Sequence, residues 1–145
     1  MFYGLFRHAV DAKGRVAIPA QYRRDLTGAV IAPGSEGRLV IRPAAEWSAY
    51  VDRFQLTPSS TPEQRSFMRR VFAGARELEL DGQGRILLTS DHRRFAGITD
   101  RAVFVGLSNV VELTGEQTWD AEEAGNTPES FTELGDRVGR APESQ

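Results

Sequence analysis

The feature that most constrains this chain is a repeat. Asp11–Arg24 and Asp81–Arg94 align at an offset of 70 residues with five identities over fourteen positions: Asp11/Asp81, Gly14/Gly84, Arg15/Arg85, Arg23/Arg93 and Arg24/Arg94. Unrelated segments of average composition would share about one. Most of the remaining positions keep their character, as in Val16/Ile86, Ile18/Leu88 and Tyr22/His92, and each copy runs on into two short apolar segments separated by a turn. One copy of roughly 40 residues buries too little surface to stand alone, so two copies must share a core. The expected result is a mainly β, α+β fold; if the copies interleave their strands into one barrel, it has approximate two-fold symmetry.

Periodicity and turn chemistry place the elements. Residues 5–10 and 15–18 read as strands joined by the Asp-Ala-Lys-Gly turn, where Asp accepts backbone N–H groups and Gly takes a positive φ. Pro19 stops the second strand, and residues 20–26 read as a short helix closed by Gly28. Strands over 29–32 and 39–41 complete the first repeat, residues 1–47. The second repeat, residues 76–119, is expected to have strands 76–80 and 85–89, a helix from Ser90 or Asp91 to Ala96, Gly97 as its stop, and strands 102–105 and 110–113. Between them, residues 48–75 form an interdomain helical pair. Its first helix begins near Pro43 with Trp47, Val51 and Phe54 on one face. Its second runs over 63–74, with Phe67, Val71, Met68 and Phe72 inward and Thr61 as its cap. Residues 116–123 read as a helix held to the body through Trp119. Residues 120–145 are expected to be an acidic, flexible tail, with 131–138 forming at most a transient helix.

Composition excludes more than it assigns. There is no cysteine, hence no disulfide or thiolate metal site, in keeping with a reducing cytosol. No targeting pattern opens the chain and no stretch approaches the roughly 20 apolar residues of a membrane span, so a soluble cytoplasmic protein is expected. Ser90, Asp91 and His92 are triad residue types, but adjacent side chains at a helix start diverge and cannot relay a proton to one another. His8 and His92 are the only histidines and lack metal-ligand spacing, and no phosphate-cradling glycine motif occurs. The reading is therefore not an enzyme: no cofactor, no metal and no small-molecule substrate. The net charge of −2 conceals a division, since residues 1–111 carry +5 and residues 112–145 carry −7.

A single Asp-x-x-Gly is commonly a plain turn. Here it occurs twice, each time followed directly by Arg and, eight residues after that Arg, by an Arg-Arg pair. A tight turn on a rigid scaffold presents Lys13 and Arg15 from one tip, and Gln83 and Arg85 from the other. Guanidinium there can reach phosphates or a guanine edge. Arg23, Arg24, Arg93 and Arg94 are candidate contacts to a nucleic-acid backbone, with pairing to acidic neighbours or a place in a subunit contact as the competing reading.

The run Met1-Phe2-x-Gly4, His8 to Arg15, Ile18-Pro19, Tyr22-Arg23, Glu77 to Arg85 and Val105-Gly106-x-Ser108-Asn109-x-x-Glu112-Leu113 resembles the MraZ family, whose members carry two SpoVT-AbrB (AbrB-like) swapped-hairpin domains in one chain. The resemblance covers about residues 1–120. It implies an AbrB-like swapped-hairpin β-barrel made from both repeats, and chains assembled as a homo-oligomeric ring of eight or more subunits. It also implies a cytoplasmic, nucleoid-associated regulator that binds double-stranded DNA at direct repeats upstream of its own operon, usually as a repressor of the division and cell-wall gene cluster. Family function maps onto the Asp-x-Lys-Gly-Arg turn, hence first onto Lys13 and Arg15, then Arg85. The chain departs from the pattern at Gln83, at Thr89-Ser90 where a Pro would stand, and at Thr114. A chain of this kind that only scaffolds protein assembly, its acidic tail masking the basic face, is the alternative, and salt-dependent binding to promoter DNA separates the two.

Overall fold

The computed structural model describes residues 1–140; the last five residues of the expected tail lie outside them. The elements in order are β1 (Leu5–Ala9), β2 (Arg15–Ala17), α1 (Ala20–Arg23) continued by one 3-10 turn, β3 (Val30–Pro33), β4 (Leu39–Arg42), α2 (Ala44–Arg53), α3 (Pro62–Ala73), β5 (Arg76–Glu77), β6 (Arg85–Leu87), α4 (Ser90–Phe95), β7 (Arg101–Leu107), β8 (Val110–Gly115), α5 (Glu116–Glu123) and α6 (Pro128–Arg140). The fold is α+β and chiefly antiparallel.

The copies interleave. β1 pairs with β7 of the other copy, and its counterpart β5 pairs with β3. β2 pairs with β6 so that Val16 faces Ile86, its own equivalent. β4 pairs with β8, with Val40 opposite Glu112; these too are equivalents, since Val40 faces Ala32 in one hairpin as Glu112 faces Val105 in the other. The six-stranded sheet, in the order β1-β7-β8-β4-β3-β5, therefore reads the same from either end when the copies are exchanged. A pseudo-two-fold axis runs through the Val16–Ile86 pair and the Val40–Glu112 pair. The sheet and the β2–β6 ribbon enclose one core, in which Val16, Ile18, Tyr22, Leu26, Leu39, Ile41, Leu88, Phe104, Val111 and Leu113 are at most 1% exposed. Sheet and ribbon join through the Val10–Val16 bridge and through His8, whose Nδ1 lies 2.6 Å from the Ala17 carbonyl oxygen.

The Asp-Ala-Lys-Gly turn joins its two strands as expected, held by the Val10–Val16 bridge and the Asp11 N–H to Arg15 carbonyl bond, while beyond the turn each strand pairs with the other repeat. Several expectations need correction. Only Arg76 and Glu77 of the expected strand 76–80 pair as a strand, opposite Ile31 and Val30; the Leu78 N–H still reaches the Ala29 carbonyl at 2.8 Å, and beyond it the segment ahead of β3 turns away at Gly28, where φ is +74°. On α2 the buried residue is Tyr50 rather than Trp47, Val51 or Phe54: the Arg42 guanidinium stands 3.7 Å over the Tyr50 ring and holds it inward. On α3, Met68 and Val71 are buried while Phe67 and Phe72 are each 47% exposed. The sheet meets that helix along a narrow stripe, Val71 packing with Ala32 and Tyr50, so residues a quarter-turn to either side stay out. Thr61 caps α3 in a reciprocal capping box with Gln64. Pro128–Arg140 form a 13-residue helix where composition pointed to weak order.

Candidate nucleic-acid interface

Both tips are built by the same hydrogen bonds. Asp11 Oδ1 accepts from the Lys13 N–H at 2.9 Å and the Arg15 N–H at 2.8 Å, while Oδ2 accepts from Arg15 Nε at 2.7 Å. Asp81 Oδ1 accepts from the Gln83 and Arg85 N–H groups at 2.9 and 3.0 Å, and Oδ2 from Arg85 Nε at 2.9 Å. Backbone bonds from Asp11 to Arg15 and from Gly14 back to Asp11 close the ring, and the second copy repeats them. The backbone N–H of Arg15, with help from its guanidinium, holds the Asp11 carboxyl below the usual carboxylate range; Arg85 does the same to Asp81.

The copies lock each other's tips. The Ile18 N–H donates to the Gly84 carbonyl and the Leu88 N–H to the Gly14 carbonyl, both at 2.9 Å. Gly14 and Gly84 have φ of +87° and +75°, and their missing side chains make room for the Arg93 and Arg23 guanidinium groups, each from the opposite copy. Arg23 Nε also donates to the Ile18 carbonyl at 3.0 Å and Arg93 Nε to that of Thr89 at 3.5 Å. These two arginines are half-buried braces of the tips. Their neighbours differ: Arg24 and Arg94 keep side chains 93% and 77% exposed, with Asp25 at 3.9 Å and Asp91 at 3.0 Å.

The ribbon turns Val16 and Ile86 inward and Arg15, Ala17, Arg85 and Leu87 outward, as strand alternation requires. Lys13 and Gln83 stand exposed at the two tips, and Lys13 is the only lysine of the chain. Arg15 and Arg85 do not extend freely: their side chains are 37% and 29% exposed, each bent onto its own Asp, and Arg85 also reaches Asp11 at 3.9 Å across the axis. Each keeps guanidinium N–H groups beyond the one that binds Asp, so a bent arginine can still donate outward while its Nε is fixed. Sequence reasoning missed Leu87, 61% exposed in the middle of this face; the alternation Ile86-in, Leu88-in was the signal that placed it outward.

Elsewhere part of the basic body is neutralised. Arg7 lies 3.1 Å from Glu116 and 2.9 Å from Asp120, Arg101 lies 3.2 Å from Glu116, and buried Arg38 pairs with Glu122 and with Glu112 at 3.6 Å. The acidic residues of α5 thus attach to Arg7, Arg38 and Arg101 rather than to the tips, leaving the positive charge of the ribbon face uncovered by that helix. His92 is buried and bonds the Gly74 carbonyl at 2.7 Å, as Tyr22 bonds the equivalent Gly4 carbonyl at 3.2 Å. Among the described residues no group of three or more His, Asp or Glu is placed to hold a metal ion, and no helix is long and apolar enough to cross a membrane.

Comparison with known proteins agrees with this two-copy architecture. The family described as "MraZ protein, putative antitoxin-like" matches the chain twice, over residues 1–70 and 71–139. A Symbiobacterium thermophilum protein named transcriptional regulator MraZ is 42% identical over 139 residues, covering 94% of this chain and 99% of the relative. Proteins of the same name from Desulfitobacterium hafniense and Lactiplantibacillus plantarum are 39% and 36% identical, covering 93% and 95% of this chain and 99% and 98% of their own lengths.

Proposed function

Because the chain belongs to the MraZ family, we propose that it is a transcriptional regulator that binds double-stranded DNA through the outward face of the β2–β6 ribbon and its two tips. In this reading Arg15 and Arg85 donate to guanine edges or phosphates, Lys13 neutralises a phosphate, and Gln83 makes an uncharged hydrogen bond at the weaker tip. Arg24 and Arg94 reach the DNA backbone at the flanks, and Arg23 and Arg93 contribute chiefly by bracing the tips. The carrying observation is the pair of Asp-clamped tips, related by the pseudo-two-fold axis, that bring Lys13, Arg15 and Arg85 to one ribbon and its ends. β-Ribbons are an established means of entering a DNA groove.

One subunit offers few base contacts, each worth roughly 1–3 kcal/mol of discrimination, too little for selection within a genome. The reading therefore includes a homo-oligomer, a ring of eight or more subunits, whose repeated faces engage a set of direct repeats upstream of the protein's own operon. Repression of the division and cell-wall gene cluster, in a cytoplasmic and nucleoid-associated setting, completes it, with no catalytic activity.

The test is a mobility-shift titration on the DNA upstream of the gene, with scrambled DNA alongside, at several salt concentrations. Log affinity is expected to fall linearly with log salt, by about 0.9 per phosphate neutralised, and Arg15→Ala is expected to abolish the specific shift while the assembly persists. A normal shift by Arg15→Ala, or no salt slope, overturns the reading in favour of a protein scaffold.

A further inference from the structure

Two apolar surfaces of this chain face water without explanation. The first is on α6: Phe131, Leu134 and Val138 are 79%, 58% and 62% exposed, and at 100° per residue they fall within an arc of about 60°. Every side chain from Phe131 to Gly139 is exposed, and α6 forms no ion pair with the body among the described residues. The second lies between α2 and α3. Their aromatic rings meet only at the edges, Trp47 with Phe72 at 5.8 Å and Phe54 with Phe67 at 5.7 Å. Adjoining cavities of about 600 and 450 Å³ open there, walled by Val51, Phe54, Leu56, Phe67, Met68 and Phe72. Phe54, Leu56, Phe67 and Phe72 are 37–47% exposed. Clustered exposure of this kind marks a docking surface.

We propose that the α2–α3 groove is the seat of α6 from a second copy of the chain. The inference rests on the reading that the chain self-assembles, and supplies a contact for it. Dimensions match: α6 spans about 20 Å and α3, with twelve residues, about 18 Å. An amphipathic helix laid between two splayed helices completes a three-helix layer. Gly135 lies beside the apolar stripe with nothing within 4 Å, allowing close backbone approach. Charge is compatible with the encounter, since α6 carries Glu129, Glu133 and Asp136 against Arg137 and Arg140, and Arg53 and Arg69 stand with Glu63 at the cavity walls. The occupant belongs to another chain because a lone chain, with both surfaces at its disposal, joins neither. The link Ala124–Thr127 leaves α6 standing off its own body, free to act as an arm. One arm covers on the order of 400 Å², well below the roughly 800 Å² per side of a stable pair, so arms hold only in concert, each subunit giving one and receiving one around a closed assembly.

The natural chain has no cysteine, so introduced thiols report alone. Full-length chains carrying Phe67→Cys are mixed with differently tagged chains carrying Leu134→Cys and oxidised; Glu133→Cys, on the opposite face of α6, replaces Leu134→Cys in the control. A disulfide between the two tagged chains, much weaker with Glu133→Cys, is expected. In parallel, Leu134→Asp, on a side chain that contributes nothing to the single-chain core, is expected to raise the concentration for half-assembly by about tenfold or more in sedimentation. A chain carrying both Phe67→Cys and Leu134→Cys is oxidised alone as a further test; a disulfide that closes only within that chain, or no cross-link in either experiment, overturns the proposal while leaving an oligomeric parent protein intact. A parent protein that sediments as a monomer at all concentrations removes the self-assembly reading as well.

Discussion

Substituting Gly14 by Ala tests whether the tips are rigid because each copy locks the other. A Cβ at Gly14 would lie 2.7 Å from the Leu88 carbonyl oxygen, a backbone atom fixed in the core wall, and 3.1 Å from the Arg93 guanidinium, at a φ of +87°. The left-handed conformation costs alanine about 1–2 kcal/mol. Displacing Leu88 also weakens its 2.9 Å hydrogen bond to the Gly14 carbonyl, about 1 kcal/mol more. The sum, about 2–4 kcal/mol with the residual clash, is a large part of the 5–15 kcal/mol that holds an ordinary domain together. In urea, where stability falls by about 1–3 kcal/mol per molar, the midpoint should drop by about 1–2 M. Gly84→Ala should cost less, because the nearest atoms to its Cβ, at 2.4–2.6 Å, belong to the flexible Arg23 side chain. Gly82→Ala, with nothing within 4 Å and no positive φ, should be neutral or stabilising by up to about 1 kcal/mol. The order Gly14, Gly84, Gly82 is the prediction; a Gly14→Ala midpoint equal to that of Gly82→Ala would falsify the interlock.

Three further perturbations follow from the same geometry. Asp11 and Asp81 are held below their ordinary range by N–H donors, so their contribution is complete above the unfolded value near about 4 and is lost as pH falls through the folded one. The Asp11→Asn, Asp81→Asn double variant should accordingly lose less stability than the parent between about pH 5 and 3, and equal slopes in urea melts would refute this. Gln83→Lys equips the weaker tip with the charge that Lys13 gives the first, and should steepen the salt dependence of DNA binding by about 0.9 in log–log slope; an unchanged slope places that tip away from the phosphates. Arg38→Ala removes a side chain 10% exposed and leaves Glu112, 28% exposed, without its partner. A loss of about 1–3 kcal/mol is expected, less than for a fully buried pair because Glu122 is half in water, together with faster amide exchange in α5, and a stable variant with protected α5 amides would contradict it.

Much of this protein is legible in its sequence wherever the signal is local. The Asp-x-x-Gly-Arg turns, the alternation of Val16 and Ile18 against outward Arg15 and Ala17, and the Thr61 cap each follow from the conformational rules of a few consecutive residues. The repeat adds one non-local fact, that two equivalent units must share a core. Tertiary structure alone decided which strand pairs with which, that Arg23 and Arg93 brace the opposite tip, that Tyr50 rather than Trp47 turns inward, and that α5 spends its acids on Arg7, Arg38 and Arg101. The physical reason is that a strand exposes the same donors and acceptors to any neighbour. The partner is therefore chosen by the burial of both faces at once, a property of the assembled core that no short stretch of sequence contains.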